Sequence, residues 1–317
     1  MKYRKLGSSD LTVSEISLGS WLTYGVGVER DRATACVNRA FELGINFIDT
    51  ANVYGRGLAE TFLGEALAKR KRDSYVLATK VFFPMSDTDK GLSRAQIEKQ
   101  IDASLKRLRT DYVDLYQCHR YDADTPLEET MQAFDRLVNA GKARAIGASN
   151  LTPWRIAQAN TISRVNHWTE YSVVEQRYTY LRPRHGADFG PQIFISEELK
   201  DFARTENVAL IGYSILLQGA YTRSDREVPM QFAGPDSDER LGVLQAVAGE
   251  AGCSPSQAII AWMRQSDPAI LPIIAGSRIE QLRETIAALD IVLSSDQMSR
   301  LDTAGNPVIK QGWIQPS

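Results

Sequence analysis

Short apolar runs alternate with longer stretches of helical periodicity along most of the chain. The runs are rich in Val, Ile, Leu and aromatic residues, a composition typical of strands that are buried on both faces of a parallel sheet. The pattern predicts eight strands, which lie within EISLGSW (15–21), INFIDT (45–50), YVLATK (75–80), VDLYQCH (113–119), ARAIGAS (143–149), YSVVEQ (171–176), VALIGYS (208–214) and AILPIIAG (269–276).

Helical periodicity fills the segments between these runs. It is clearest in residues 32–43, 94–108 and 127–140, and the first and third of these stretches end before a glycine, a common helix stop. The second stretch follows Ser93, a favourable N-cap residue, and Gln96 stands where it would complete a capping box. Each predicted strand is thus followed by a predicted helix.

The alternation predicts the fold class. Eight strand–helix units over about 260 residues fit a closed (β/α)8 barrel, the TIM-barrel architecture, as a single domain spanning residues 1–317. A doubly wound open sheet is the alternative, but no glycine-rich phosphate loop follows the first run. We expect the first dozen residues to add a hairpin that turns at GSSD, and the chain after about residue 290 to add a helix and an arm.

The composition of the chain argues against nucleic acid and membranes as binding partners. The 317 residues carry a formal net charge of −2 and are 43% hydrophobic, as expected for a soluble globular protein. No basic block is present to attract nucleic acid or acidic lipid, and no apolar stretch is long enough to cross a membrane. The N-terminus lacks the apolar core of a signal peptide. We therefore expect a cytoplasmic protein that acts on a small molecule.

Cysteine and histidine usage argues against disulfides and against a metal site. The three cysteines are widely spaced and form no CxxC pair, which suits a reducing compartment. The three histidines form neither HExxH nor HxxxH, so no metal ligand set is expected. Cys118 lies in an apolar run and is interpreted as a buried hydrophobe, while His167 and His185 are expected at the surface.

Polar residues end most of the predicted strands. In a barrel of this type the chemistry lies at the carboxyl ends of the strands. A charge at the end of an apolar run is costly to bury without a partner, so gathering such residues at one mouth of the barrel lets them pair. The first seven runs end in or near Trp21, Asp49, Lys80, His119, Ser149, Gln176 and Ser214.

Four residues on adjacent strands suggest acid–base chemistry. Asp49 ends the second strand, Tyr54 follows it in the loop, and Lys80 and His119 end the next two strands. An ammonium beside a tyrosine favours phenolate, so we expect the Tyr54 pKa to fall below its usual value of about 10. Such a tyrosine could donate or accept a proton, and His119 could orient a substrate carbonyl. Each residue taken alone could instead be structural.

These residues and their motifs resemble those of the aldo-keto reductases. The similarity rests on DTANVYG, LATK, DLYQCH and IGASN and extends over residues 3–304. It is greatest to the branch of voltage-gated potassium-channel β subunits and related bacterial aldo-keto reductases. The resemblance implies NADPH-dependent reduction of an aldehyde or ketone to an alcohol, with Tyr54 as general acid and Asp49, Lys80 and His119 as the other catalytic residues.

The resemblance also implies a site for an extended NADPH. Tyr213 would stack on the nicotinamide, and polar residues that end the fifth and sixth strands would bind its carboxamide. Arg278, at the start of the last long helix, suits a 2′-phosphate and favours NADPH over NADH. Relatives usually carry proline where Ile215 stands and asparagine where Thr285 stands. The implied contacts are Gly19, Ser20, Trp21, Asp49, Ser149, Asn150, Gln176, Tyr213, Ser214, Leu216, Gly219, Gly276, Ser277, Arg278, Gln281 and Glu284.

Other interpretations stay open. A channel-β-like subunit would bind the cofactor and regulate a partner, and a keto-sugar reductase of deoxysugar synthesis would use the same chemistry. GRGLAE resembles a dinucleotide loop, but Glu60 occupies its third glycine position, so we interpret it as a turn before a helix. Unusual loops at residues 177–194 and 222–240 are expected to set specificity. The sequence leaves the substrate and the oligomeric state open.

Overall fold

The computed structural model describes residues 1–306 and confirms the predicted barrel. After two short strands, β1 (Tyr3–Lys5) and β2 (Thr12–Ser14), the barrel strands are β3 (Ser17–Gly19), β4 (Phe47–Asp49), β5 (Val76–Val81), β6 (Val113–Cys118), β7 (Ala143–Ser149), β8 (Tyr171–Arg177), β9 (Ala209–Tyr213) and β10 (Ile270–Ala275). They close in the order β10-β3-β4-β5-β6-β7-β8-β9, and every neighbouring pair is parallel. Each strand lies within or beside its predicted run.

Helices surround the barrel. They are α1 (Arg30–Glu42), α2 (Leu58–Leu67), α3 (Arg94–Leu108), α4 (Leu127–Asn139), α5 (Pro153–Asn166), α6 (Glu197–Thr205), α7 (Pro235–Glu250), α8 (Pro255–Gln265), α9 (Ile279–Ala287) and α10 (Ser295–Thr303). α3 has the predicted bounds, and the Ser93 hydroxyl accepts from the Gln96 N–H at 3.4 Å. The Gln96 side chain donates through Nε2 to the carbonyl of Thr88 at 2.9 Å, and within residues 1–306 its Oε1 accepts no bond from the Ser93 N–H, so the predicted capping box is only half formed.

The predicted hairpin closes the amino-terminal end of the barrel. β1 and β2 pair antiparallel, and Leu6, Leu11 and Val13 pack into an apolar cluster with side chains from seven of the eight barrel strands, β4 to β10. Gly7, in the turn, has a φ of 60°, and a Cβ there would lie 2.2 Å from the carbonyl oxygen of Ser172. Only glycine combines that φ with so close an approach at no steric cost.

The barrel interior changes from apolar to polar along the strands. Phe47 and Ala78 belong to the apolar cluster behind the hairpin. Residues two apart on a strand share a face, so Asp49 and Lys80 point into the same interior, one layer nearer the carboxyl ends. The polar strand ends that the sequence singled out therefore gather at one mouth.

After β10 and the helix that follows it, α9, the chain adds α10, which confirms the predicted appended helix. The predicted arm falls after residue 306 and lies outside the described residues. Within residues 1–306, no helix is both long and apolar enough to cross a membrane.

Candidate active site

Tyr54 is held beside β5 by the loop that follows β4. The N–H of Asn52 donates to the carbonyl of Lys80 at 3.2 Å, which keeps the loop against that strand. Residues 55–57 then take positive φ values of 56°, 54° and 92° before α2 begins. Glycine occupies two of these three positions, as this conformation favours. GRGLAE is therefore the predicted turn before a helix.

Lys80 is fully buried between two carboxylates. Its Nζ lies 2.6 Å from both carboxylate oxygens of Asp49 and donates to the carbonyl of Thr50 at 3.0 Å. The same Nζ is 3.2 Å from Oε1 of Glu175 on β8. It also lies 5.4 Å from the centroid of the Tyr54 ring. The predicted Asp49–Lys80 pair is thus formed, and it sits directly beside Tyr54.

Glu175 is a site residue that the sequence analysis missed. Its side chain is buried, and its Oε2 accepts from Nε2 of Gln117 at 2.9 Å. An acid inside the buried run YSVVEQ was a visible signal, since a buried carboxylate needs a partner. Its partner, Lys80, lies on β5, three strands away around the barrel, so neighbouring positions along the chain do not indicate the contact.

Asp49 and Glu175 compete for one ammonium. Burial raises the pKa of Asp49 well above its usual range, Glu175 raises it further, and Lys80 opposes both. Burial disfavours the charged form of Lys80, but the two carboxylates outweigh burial and raise the Lys80 pKa. Lys80 therefore stays protonated at neutral pH, and Asp49 takes up a proton more readily than an exposed aspartate does.

The expected fall in the Tyr54 pKa is wrong for this structure. Burial is the largest influence and raises the pKa of Tyr54, whereas Lys80 lowers it and both Asp49 and Glu175 raise it further. The sequence argument counted the ammonium but neither the burial nor the second carboxylate. Tyr54 is a neutral phenol at neutral pH, which is the form that can donate a proton.

His119 provides a second polar atom next to the phenol. Its Nε2 lies 3.4 Å from the hydroxyl oxygen of Tyr54, and its ring packs edge-on against Phe83 at 4.9 Å between centroids. Burial lowers the pKa of His119 well below its usual value, and the charge of Lys80 lowers it further. The imidazole is therefore neutral at neutral pH and keeps one N–H for hydrogen bonding.

A cavity of about 990 Å³ opens over these groups. Tyr54 and His119 line it, together with Trp21 and Tyr213, whose rings meet edge-on with centroids 6.1 Å apart. Its volume suits an elongated organic ligand. Many of the predicted cofactor contacts line this cavity, namely Gly19, Trp21, Asp49, Asn150, Tyr213, Ser214, Leu216, Gly219, Ser277, Arg278, Gln281 and Glu284.

The other predicted contacts, Ser20, Ser149, Gln176 and Gly276, are buried outside the cavity lining. Ser20 donates to the hydroxyl of Thr50 at 2.8 Å, which ties β3 to β4. Gln176 donates through Nε2 to the carbonyl of Leu151, while its Oε1 is buried with no hydrogen-bond partner within residues 1–306. That oxygen is an acceptor of the kind that a carboxamide NH2 requires.

Asn150 has a positioning role that the sequence did not indicate. Its Nδ2 donates to the carbonyl of His119 and to the hydroxyl of Ser149, both at 3.0 Å. Its Oδ1 accepts from the Tyr213 hydroxyl at 2.7 Å and from the Ile193 N–H at 3.2 Å. These bonds use both donors and both lone pairs of the amide, so a direct contact between Asn150 and a carboxamide stays a prediction.

Arg278 lines the cavity and stands at the N-cap position of α9. Just before this helix, the Ser277 hydroxyl donates to Oε1 of Gln281, in the first turn, at 2.8 Å. Helix N-termini attract anions through their free N–H groups, and a guanidinium adds a planar cation. The cavity wall at the start of α9 therefore suits a phosphate.

Two other features have structural roles. Glu60 accepts from the hydroxyl of Thr79 and from Nε of Arg107, both at 2.6 Å, so it anchors α2 instead of opening a dinucleotide loop.

Burial raises the pKa of the Cys118 thiol to about 11, and the Tyr171 hydroxyl donates to its sulfur at 3.4 Å. Cys118 is therefore a packed thiol, as predicted, and His167 and His185 are exposed. Among residues 1–306, no cluster of three or more ligating side chains could hold a metal ion.

Comparison with known proteins gives one consistent family. The model of the aldo/keto reductase family matches residues 15–306. A probable voltage-gated potassium channel subunit beta of Oryza sativa subsp. japonica is 32% identical, and the match covers 92% of each chain. The uncharacterized oxidoreductase YrpG of Bacillus subtilis is also 32% identical, over 95% of each chain. A putative channel subunit beta of Schizosaccharomyces pombe is 31% identical, over 95% of this chain and 92% of its own.

Proposed function

The chain belongs to the aldo/keto reductase family of oxidoreductases, and we propose that it uses NADPH to reduce an aldehyde or ketone to an alcohol. The observation that carries the proposal is the 3.4 Å approach of the Tyr54 hydroxyl to His119 Nε2 at the wall of one large cavity. A carbonyl oxygen placed against both atoms would accept a hydrogen bond from each. The buried ammonium of Lys80 lies beside this pair, 5.4 Å from the centroid of the Tyr54 ring.

Tyr54 acts as the general acid in this proposal. When bound, NADPH supplies the hydride. Burial keeps the phenol protonated, and the phenolate left after proton transfer is stabilised by Lys80, whose Nζ lies 5.4 Å from the ring centroid. Asp49 holds that ammonium through two 2.6 Å contacts. Neutral His119, with its proton on Nε2, donates to the carbonyl oxygen and orients it.

The residues present fit a nicotinamide dinucleotide. Tyr213, fixed by Asn150, presents its ring to the cavity. Gln176 lies outside the cavity lining, but its Oε1 has no partner within residues 1–306 and is an acceptor of the kind that the carboxamide requires. Arg278 at the start of α9 would bind the 2′-phosphate that distinguishes NADPH from NADH. Three cysteines without a disulfide fit the cytoplasmic setting that we propose from the sequence.

A regulatory subunit is the second candidate, because two of the relatives are named as potassium channel subunits beta. Such a protein would bind the cofactor without sustained turnover. The four proposed catalytic residues, Asp49, Tyr54, Lys80 and His119, lie together beside the cavity, and this arrangement favours sustained catalytic turnover. Repeated oxidation of NADPH in the presence of excess aldehyde would support an enzyme, whereas a single turnover per protein would support the regulatory role.

Replacing Tyr54 tests the proposed acid. We expect Tyr54→Phe to lower the rate of aldehyde reduction by roughly 10²- to 10⁴-fold with little change in NADPH affinity, because the hydroxyl serves the proton transfer. The rate is followed by NADPH absorbance and the affinity by fluorescence titration. Tyr3→Phe is the matched control, since within residues 1–306 the hydroxyl of this exposed phenol bonds only the carbonyl of Gly44. A Tyr54→Phe rate above about a tenth of wild type would exclude Tyr54 as the acid.

A further inference from the structure

Arg177 ends β8 on the face that looks into the barrel mouth. Val173 belongs to the apolar interior cluster, and Glu175 reaches Lys80 in the layer above it. Because alternate strand residues share a face, Arg177 lies one layer higher, where the interior opens. Its side chain lines the same cavity as Tyr54 and His119.

The surroundings of Arg177 hold its guanidinium without neutralising it. Three phenyl rings surround it, with centroids 5.0, 5.7 and 5.9 Å from the guanidinium carbon, those of Phe189, Phe194 and Phe232. One Nη donates to the side-chain oxygen of Gln192. Nε is buried without a hydrogen-bond partner, and within residues 1–306 no carboxylate pairs with this guanidinium. These rings and Gln192 come from the two loops that the sequence marked as unusual.

A half-buried cation without an anion is energetically costly. Cation–π contacts offset only part of the hydration free energy that the guanidinium loses on burial. Burial lowers the pKa of Arg177, which is the direction expected when no anion compensates. The planar fork of a guanidinium is suited to a carboxylate or phosphate. An anionic group in the cavity would thus find a desolvated partner that is already fixed in place.

We propose that Arg177 binds an anionic group at the far end of the substrate, so that the natural substrates are small aldehydes or ketones that also carry a carboxylate or a phosphate. This inference rests on the proposed carbonyl reduction, since it assigns the other end of the same substrate. Tyr54 and His119 hold the carbonyl oxygen, and Arg177 holds the charge. The rings around Arg177 exclude water and strengthen that contact.

The test compares para-carboxybenzaldehyde and para-formylphenyl phosphate with neutral para-methylbenzaldehyde. In wild type we expect at least one charged aldehyde to have a higher kcat/KM than the neutral one. Arg177→Met should lower kcat/KM for the preferred anion by roughly 10- to 100-fold, mainly through KM, and leave the neutral aldehyde nearly unchanged. Arg155→Met is the matched control, because Arg155 also stacks on rings, Tyr121 and Trp154, but does not line the cavity.

A binding measurement separates this inference from the proposed function. The same aldehydes are titrated by calorimetry into protein saturated with NADP+, which has no hydride to give. Tighter binding of an anionic aldehyde in wild type, lost in Arg177→Met, would support the anion site even if no aldehyde were reduced. Equal binding of charged and neutral aldehydes in wild type would overturn it. So would an equal loss for all aldehydes in Arg177→Met, which indicates a structural role, or a selective loss of NADP+ affinity, which indicates a cofactor contact.

Discussion

Replacing Lys80 by Met should destabilise the protein, because Lys80 neutralises two carboxyl groups in the barrel interior. The ammonium lies 2.6 Å from Asp49 and 3.2 Å from Glu175, and all three side chains are buried. Methionine fills a similar length but carries no charge. The variant therefore leaves two carboxyl groups close together in the interior with no cation between them.

The expected loss of unfolding free energy in Lys80→Met follows from these distances. With an effective dielectric constant of about 20, ion pairs at 2.6 and 3.2 Å are each worth roughly 5–6 kcal/mol of Coulomb energy. Desolvation and the repulsion between the carboxylates offset much of this attraction. Removing one partner of a buried pair destabilises proteins by about 3–5 kcal/mol, and we expect a loss of unfolding free energy in this range at neutral pH.

The loss should depend on pH, and its sign follows from the carboxyl groups. Lys80 lowers the pKa of Asp49, so its removal raises the folded-state pKa of Asp49 further. A carboxyl whose folded pKa is raised contributes stability below its unfolded pKa of about 3.9, and loses it as pH rises through the folded pKa. The difference between Lys80→Met and wild type should therefore shrink as pH falls from 8 toward 5, by up to about 1.4 kcal/mol per pH unit and titrating group.

Urea unfolding followed by tryptophan fluorescence measures this difference across that range. Lys142→Met is the control, because its partner Asp102 is exposed and surface pairs contribute about 0–1 kcal/mol. Lys80→Met/Glu175→Gln should be more stable than Lys80→Met alone, since only one carboxyl then lacks a cation. A loss below about 1 kcal/mol, or one that does not change with pH, would refute the electrostatic account of the cluster.

Two further predictions concern the cofactor and the proton. Arg278→Ala should weaken NADPH binding by roughly 10- to 150-fold and NADH binding hardly at all, because one charge-assisted contact to a phosphate is lost; equal losses for both cofactors in fluorescence titrations would exclude the phosphate contact. Glu175→Gln should shift the pH profile of alcohol oxidation to lower pH, because Glu175 raises the pKa of Tyr54 and oxidation requires the phenolate; a profile that stays in place or moves to higher pH would contradict the assigned influence of Glu175.

The sequence predicted the barrel because its strands are buried on both faces and therefore read as continuous apolar runs. Every residue of β5 and β6 is buried, including Lys80 and Gln117. The polar strand ends were also predictable, since parallel strands bring their carboxyl ends to one mouth. Contacts across the barrel were not predictable in this way, and Glu175 was missed because the residue it meets is remote in both chain and strand order.

The direction of the Tyr54 pKa was not predictable from residue identities. The sequence supplies the charges, but the outcome depends on how deeply each group is buried and which charges face one another. In the structure burial and two carboxylates outweigh one ammonium. In the reaction that we propose, Tyr54 is therefore the acid, and the proposed role of Lys80 shifts from ionising the free phenol to stabilising the phenolate that forms.

Along β8, residues that share one face are assigned to three different roles: core packing, the charge cluster around Lys80 and the proposed binding of substrate. On β8, Val173 packs in the apolar cluster, Glu175 contacts Lys80, and Arg177 lines the open cavity. These positions share a face and lie two residues apart, about 6–7 Å along the strand. If Arg177 binds substrate as we propose, a change at this last position would alter which substrate binds, while Glu175 would keep the charge balance around the proposed acid. Specificity would then vary at the mouth without disturbing the proposed proton transfer below it.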